Sequence, residues 1–420
     1  MNLSLKKKIG IESLITSFSN TQNQKALEEQ LLQDNACLYV KGSVGSGISF
    51  IIANSFKTVG KTMLFLCEDR EKAAYQLNDF ERILGEDNVL FFPSSYRKPY
   101  QTETTDNVNV LLRSEALTKL GSSKKPKLIV SYPQAVFEKV VSHAILKKNT
   151  LEVIKDSRLS LDFVNEMLFE YRFNRVDFVT QPGEFSVRGG IIDVFSFSNQ
   201  HPYRIEFYDD QVESLRSFDV ATQLSISTLN KIKLLPNTSE GFTKAKRKSI
   251  IEVIAPKGVL ITQNFDFISA RLAHFYEEAL SSFAALNTET KHLAPDVLFT
   301  SKENFIQTVT MLSLVSLTKS TAVNTQQNHF FKQSPQPAFN RQFDRLIVYL
   351  NDNHQKGYQN FICCASEQQA QRFKDIFEEG EETVHYKTLV NPLFEGFEDV
   401  DAKIACFTDH QIFELSLIHI

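Results

Sequence analysis

The chain has 420 residues, 42% of them hydrophobic and 23% charged, with a formal net charge of −4. That length exceeds one ordinary core and the composition excludes wholesale disorder, so a multidomain globular protein is expected. The mildly acidic balance argues against a large nucleic-acid footprint, which normally shows as a basic domain. No apolar run reaches the roughly 18 residues that cross a bilayer. Lys6, Lys7 and Lys8 are followed by no apolar stretch of the length a secretory signal needs. The cysteines Cys37, Cys67, Cys363, Cys364 and Cys406 show no C-x-x-C or zinc-finger spacing, so reduced thiols in a cytoplasmic protein are expected, with no metal and no membrane association.

The first third alternates strand-like and helix-like segments. Residues 37–41 read as a short strand running into a Gly-rich loop, and 50–58 as a helix. Residues 63–67 form a second apolar strand, followed by a polar helix over 69–84. Strands at 89–92 and 128–131 flank a helix at 108–120. This alternation predicts a parallel α/β sheet covered on both faces.

Near residue 150 the period changes. Residues 159–171 carry Leu161, Val164, Leu168 and Tyr171 on one helical stripe. Strand-like runs at 176–179, 184–195, 203–208 and 212–218 follow with short turns between them, which predicts a separate antiparallel α+β domain. From 231 onward the pattern is mixed again, with strands at 251–254 and 259–261 and a long helix at 265–280. The stretch 318–338 is rich in Thr, Asn, Gln, Ser and Pro and reads as an exposed connection or domain boundary. A last α/β unit has helices at 340–355 and 367–379 and strands at 361–365 and 404–407.

Two segments carry chemistry. Gly42-Ser-Val-Gly45-Ser-Gly47-Ile48-Ser49 lies between a strand and a helix at the spacing of the phosphate loop G-x-x-x-x-G-K-[ST]. In that motif backbone amides wrap the phosphates, the lysine neutralises their charge, and the hydroxyl holds Mg²⁺. Ile48 stands at the lysine position and supplies no charge. Lys41 precedes the loop and is a poor substitute, and Glu68-Asp69 makes no convincing metal-holding pair. Hydrolysis needs that electrostatic clamp, so no catalytic residue is expected here, and a vestigial turn is favoured over a weak anion or nucleotide site.

The second segment is Arg175-Val-Asp-Phe-Val, then Pro182-Gly-Glu-Phe-Ser-Val-Arg188-Gly189-Gly190-Ile-Ile-Asp193-Val-Phe195. It continues through Tyr203-Arg204-Ile-Glu206-Phe-Tyr-Asp and Val212-Glu-Ser-Leu-Arg216-Ser-Phe218-Asp219. Strand periodicity puts Glu184, Ser186 and Arg188 on one face and Phe185 and Val187 on the other. Likewise Arg204 and Glu206 share a face opposite Ile205 and Phe207, and Ile191, Asp193 and Phe195 fall together. Gly189-Gly190 marks a bulge or tight turn. A sheet solvated on one side can present such a surface to a partner.

These motifs resemble domain 2 of UvrB and of bacterial transcription-repair coupling factors. Phe92-Pro93-Ser-Ser-Tyr-Arg-Lys-Pro99-Tyr100-Gln and Arg113 resemble the same family's first domain. The resemblance runs from about Leu38 to Pro236 and more loosely beyond. The decayed loop is similar to the N-terminal, UvrB-like region of the coupling factors, whereas UvrB keeps its lysine. The resemblance implies a degenerate RecA-like helicase domain (1–132 and 225–335) interrupted by an antiparallel α+β domain at 133–224. A small α/β domain, 336–420, follows, and residues 415–420 do not resemble the family's continuation, so a truncated or altered end is expected.

The resemblance further implies an adaptor that docks the excision-repair protein UvrA through Arg175, Arg188, Phe195, Arg204 and Glu206. In this reading the chain needs no cofactor, and RNA polymerase and double-stranded DNA are met by regions beyond it, with ATP used by a separate motor. The competing reading is a UvrB-type DNA-dependent ATPase, which Ile48 opposes.

Overall fold

The structure, a computed structural model, describes residues 10–95, 99–100, 107–123, 125–141, 148, 150–197, 199, 201–235, 247–255, 257–286, 292–324, 327–379 and 383–414. The segments 1–9, 96–98 and 415–420 singled out in the sequence lie outside these residues, as do 380–382.

A seven-stranded sheet runs in the order Gln327–Phe330, Cys37–Lys41, Ser313–Ser316, Val259–Thr262, Met63–Leu66, Leu128–Ser131, Val89–Phe92, and every pairing is parallel. Four of these strands are buried at all four positions, as expected where helices cover both faces. The helix Gly47–Val59 starts directly from the Gly-rich loop and stops at Gly60, whose φ of 64° is left-handed. The helix Arg70–Leu84 is capped by Asp69, whose carboxylate accepts the Lys72 amide.

The second sheet has six strands in the order Ser225–Thr228, Gln211–Phe218, Tyr203–Tyr208, Ile191–Val194, Glu184–Arg188, Asn174–Arg175. All its pairings are antiparallel except the last. Phe185, Ile192, Val194, Ile205, Val212 and Leu215 form its core face, packed with Val164, Leu168 and Tyr171 from the helix Leu161–Glu170 and its end. That core also takes in Val153, Ile232 and Leu234, from the paired strands Leu151–Ile154 and Lys231–Leu234. A five-stranded mixed sheet, Gln333–Pro335, Phe397–Asp399, Ile404–Thr408, Gln359–Cys363, Lys387–Leu389, closes the chain. Its Phe397 joins Phe18 and Phe50 of the first unit in one aromatic cluster, with ring centroids 5.6–5.8 Å apart.

The expected combination of a parallel α/β sheet with a separate antiparallel one is therefore present, with three local corrections. Residues 250–254 are helical and not extended, because Ser249 and Glu252 close a capping box around the turn. The strand expected at 176–179 is instead Asn174–Arg175, ending where the backbone turns away. The polar stretch 318–338 is no mere connection: Gln327–Phe330 adds an edge strand to the first sheet, and Gln333–Pro335 opens the third.

Candidate functional site

The loop 42–47 follows the strand Cys37–Lys41 as expected. Ile48 is buried, 6% exposed, and contributes to the core. The Ser49 hydroxyl does not face the cleft above the loop. It donates to Gln76 Oε1 at 3.0 Å and to Asp79 Oδ2 at 3.2 Å, fully buried. Glu68 is paired with Lys72, and Asp69 is spent on its helix cap. Lys41 is exposed at the strand end. A cleft of about 540 Å³ lies over the loop, and its charged lining is Asp69, Glu71, Lys72 and Glu395. Three carboxylates against one already paired lysine make this a poor seat for a polyphosphate. Burial pushes the Asp79 carboxyl up to about 6, although the Ser46 hydroxyl, the Phe394 amide and the Ser49 hydroxyl favour its ionised form.

On the antiparallel sheet the expected polar face exists. Ser186, Asp193, Arg204 and Arg216 are cross-strand neighbours in one row, and Arg188, Ile191, Glu206 and Ser214 in the next. Asp193, 1% exposed, is the hub. Arg204 grips it bidentately, Nε to Oδ1 at 2.7 Å and a terminal nitrogen to Oδ2 at 2.8 Å, and Arg188 donates to Oδ2 at 2.7 Å. Two guanidinium groups from neighbouring strands thus share the one Asp193 carboxylate. The hydrogen bonds that Arg204 donates to Asp193 raise its guanidinium above the usual range. Glu206 accepts from Ser214 and Arg216. Gly189 turns the hairpin between Arg188 and Ile191 with φ 60°.

The five expected contact residues therefore divide. Arg175 is exposed, and the Arg188 side chain is 45% exposed. Arg204, 19% exposed, is largely engaged with Asp193 and lies over the Phe218 ring, 4.6 Å from its centroid. Glu206 is 27% exposed and paired. Phe195 is corrected outright: at 6% exposure it is no surface aromatic. Its amide donates to the Glu184 carbonyl and its carbonyl accepts from Gly183, so the strand end is closed against the Thr180–Glu184 turn. The charged groups are paired across strands, and the Asp193 carboxylate at their centre is 1% exposed, so removal of Arg204 would leave a buried carboxylate with less compensation.

The UvrB interaction domain family matches residues 151–239. This segment is a UvrB interaction domain. Its matched span covers the strands from Leu151–Ile154 to Lys231–Leu234 and hence the whole arginine face. More widely, the chain is similar to transcription-repair-coupling factors. It is 33% identical to that of Rickettsia bellii over 204 residues, which is 46% of this chain and 18% of the relative. It is 28% identical to that of Bacillus subtilis over 213 residues, 50% of this chain and 17% of the relative. The Escherichia coli protein is 32% identical over 138 residues, 33% of this chain and 12% of the relative. The chain thus matches less than a fifth of the length of each, in the family that its motifs pointed to.

Within the UvrB interaction domain the structure supplies an aromatic that alternation did not reveal. Phe178 is 61% exposed, and the Arg188 guanidinium lies 5.0 Å from its ring centroid. With Arg175, Val176, Asp177 and Val187 it lines a shallow hollow at the sheet edge. Phe178 sits in irregular backbone just past Asn174–Arg175, where strand periodicity says nothing. The only sequence signal was its place directly after Asp177 and three residues after Arg175. Arg113, noted for its resemblance to the family's first domain, is a structural arginine. It is 4% exposed, donates to the Pro93 and Ala135 carbonyls, and pairs with Glu138.

Proposed function

We propose that this chain is the repair-recruiting part of a transcription-repair coupling factor, and that its UvrB interaction domain captures UvrA. The observation that carries this reading is the family match over 151–239 together with the outward arginine–aromatic edge formed by Arg175, Phe178 and Arg188. Exposed arginine and aromatic groups are the usual energetic anchors of interfaces. Arg204, Glu206 and Phe195 belong to the same element, but they act by holding its shape: Arg204 by fixing Asp193, Glu206 by fixing Arg216, and Phe195 by packing. RNA polymerase and double-stranded DNA, on this reading, are engaged by regions outside this chain, in the cytoplasm. Among the described residues, no helix is long and apolar enough to cross a membrane.

The chain contributes no ATP hydrolysis in this proposal. Ile48 lies in the core, the Ser49 hydroxyl is committed to Gln76 and Asp79, and the cleft above is lined by carboxylates. The deciding experiment is a binding titration with purified UvrA. The parent chain binds, and Arg175→Glu with Arg188→Ala reduces affinity by roughly thirtyfold or more, the level of an interface anchor. Unchanged affinity in a variant that melts like the parent would remove the assignment.

A further inference from the structure

In a working phosphate loop, glycines allow backbone amides to approach an anion. Here the glycines lie against the chain's own later residues. Gly42 has φ 83°, and a Cβ there would lie 2.1 Å from the Phe331 carbonyl oxygen. Gly45 has φ 49°, and its Cβ would meet the Gly396 carbonyl at 2.9 Å. A Cβ on Gly47 would meet Gln333 Oε1 at 2.2 Å.

The loop's hydrogen bonds go to the same places. The Val44 amide donates to Gln333 Oε1 at 3.1 Å, and the Ser46 amide donates to the Glu395 carbonyl at 3.1 Å. In return the Glu395 amide donates to the Ser46 hydroxyl at 3.0 Å, and the Gln333 amide to the Gly42 carbonyl at 3.2 Å. Asp79, which already accepts from Ser49, also accepts the Phe394 amide at 2.9 Å. The Phe394 ring stacks on Tyr75 with centroids 4.0 Å apart, and Asn391 donates to the Arg82 carbonyl at 3.2 Å.

We propose that the Gly-rich loop is a binding site whose ligand is this chain's own segment 393–396, joined by the Gln333 side chain, and that the resulting joint locks the third sheet onto the first. The acceptors presented to the loop amides, an amide oxygen and a peptide carbonyl, are neutral. That suits a loop that has no cation and stands among Asp69, Asp79, Glu71 and Glu395, where a phosphate would meet like charge. Ile48 completes the exchange, because an alkyl group at the start of the helix packs in the core and leaves nothing to attract an anion. The joint is independent of the UvrA reading, since none of its residues lies in 151–239.

The test is amide hydrogen exchange on the whole chain, with and without inorganic pyrophosphate. The amides of Val44 and Ser46 are expected to be protected on the order of a hundredfold without any added ligand, as amides in a closed structure are. Pyrophosphate at millimolar concentration is expected to leave both unchanged. Gln333→Ala is expected to speed exchange at Val44 on the order of tenfold more than at Ser46, which keeps its Glu395 acceptor. Rapid exchange at both amides in the parent chain, or protection that appears only with pyrophosphate, overturns the proposal, and both are read without any variant.

Discussion

The face around Asp193 and the loop 42–49 both gather hydrogen-bonding and charged groups, yet one leaves surplus guanidinium groups toward solvent and the other spends its donors on the chain itself. At Asp193, two arginines meet one carboxylate, so part of the donor capacity of Arg188 stays free, and Arg175 adds another cation at the edge. At the loop, the Val44 and Ser46 amides already have acceptors from residues more than 280 positions later. The same motif vocabulary, a Gly-rich loop or an arginine-bearing strand, therefore does not indicate whether a site is open. Openness depends on whether the fold brings a neutralising partner from elsewhere.

The comparison can be broken first at its buried hub. Arg204→Glu places a second carboxylate against Asp193 and is expected to destabilise the UvrB interaction domain by about 3–5 kcal/mol, as loss of one partner of a buried pair does. Phe195→Ala should cost a similar amount, about 3–5 kcal/mol, because the ring is core. Chemical denaturation of each variant measures both. Melting like the parent would show that the face is as loosely held as a solvated one.

The loop offers the next effect. With its folded-state value near 6 and an unfolded value of 3.8, the Asp79 carboxyl favours the folded state when protonated. Its contribution is fully present below about pH 4 and is lost as pH rises through about 6. A shift of this size corresponds to about 3 kcal/mol. Asp79→Asn keeps the shape and removes the titration, so its stability relative to the parent should climb by up to that amount between pH 4 and 7.5. A pH-independent difference would show that burial there is not felt as a charge penalty.

Phe178→Ala sharpens the contrast on the open side. Truncation of an exposed ring should change folding stability by no more than about 0.5 kcal/mol. It should weaken UvrA capture by about 2 kcal/mol in a titration. The smallest expected effect is Ile48→Lys, which should produce no ATP turnover above a buffer blank, since Ser49 and the loop amides remain occupied. Measurable hydrolysis would mean that the joint yields to nucleotide.

Much of this was legible in the sequence because it is local. Apolar runs such as Leu128–Ser131 gave the buried strands, and the alternation over Glu184–Arg188 separated Phe185 from Arg188 correctly. What stayed hidden depended on distant partners or on edges. The strand Gln327–Phe330 is polar because it is an edge, exposed at three of its four residues, so its composition resembles a loop. Isoleucines at 250–254 suggested a strand, although the Ser249-x-x-Glu252 signal for a helix start was present. Nothing near Ser46 announces Glu395, which lies 349 positions away. Exposure of Phe178 and burial of Phe195 are set by where the backbone leaves the sheet, and alternation alone does not record that.

The order of strands in the parallel sheet also bears on how the protein is made. Cys37–Lys41 emerges early in synthesis, but its two neighbours, Ser313–Ser316 and Gln327–Phe330, emerge almost 300 residues later. The pairings of residues 174–228 span short separations and involve only sequence already translated once that segment is out. On a ribosome adding residues from the N-terminus, the antiparallel unit is therefore free to fold first, while the earlier-made strand waits unpaired. The nascent chain would carry a finished antiparallel domain flanked by an unfinished sheet, exposed to chaperones and proteases until the strand ending at Phe330 arrives.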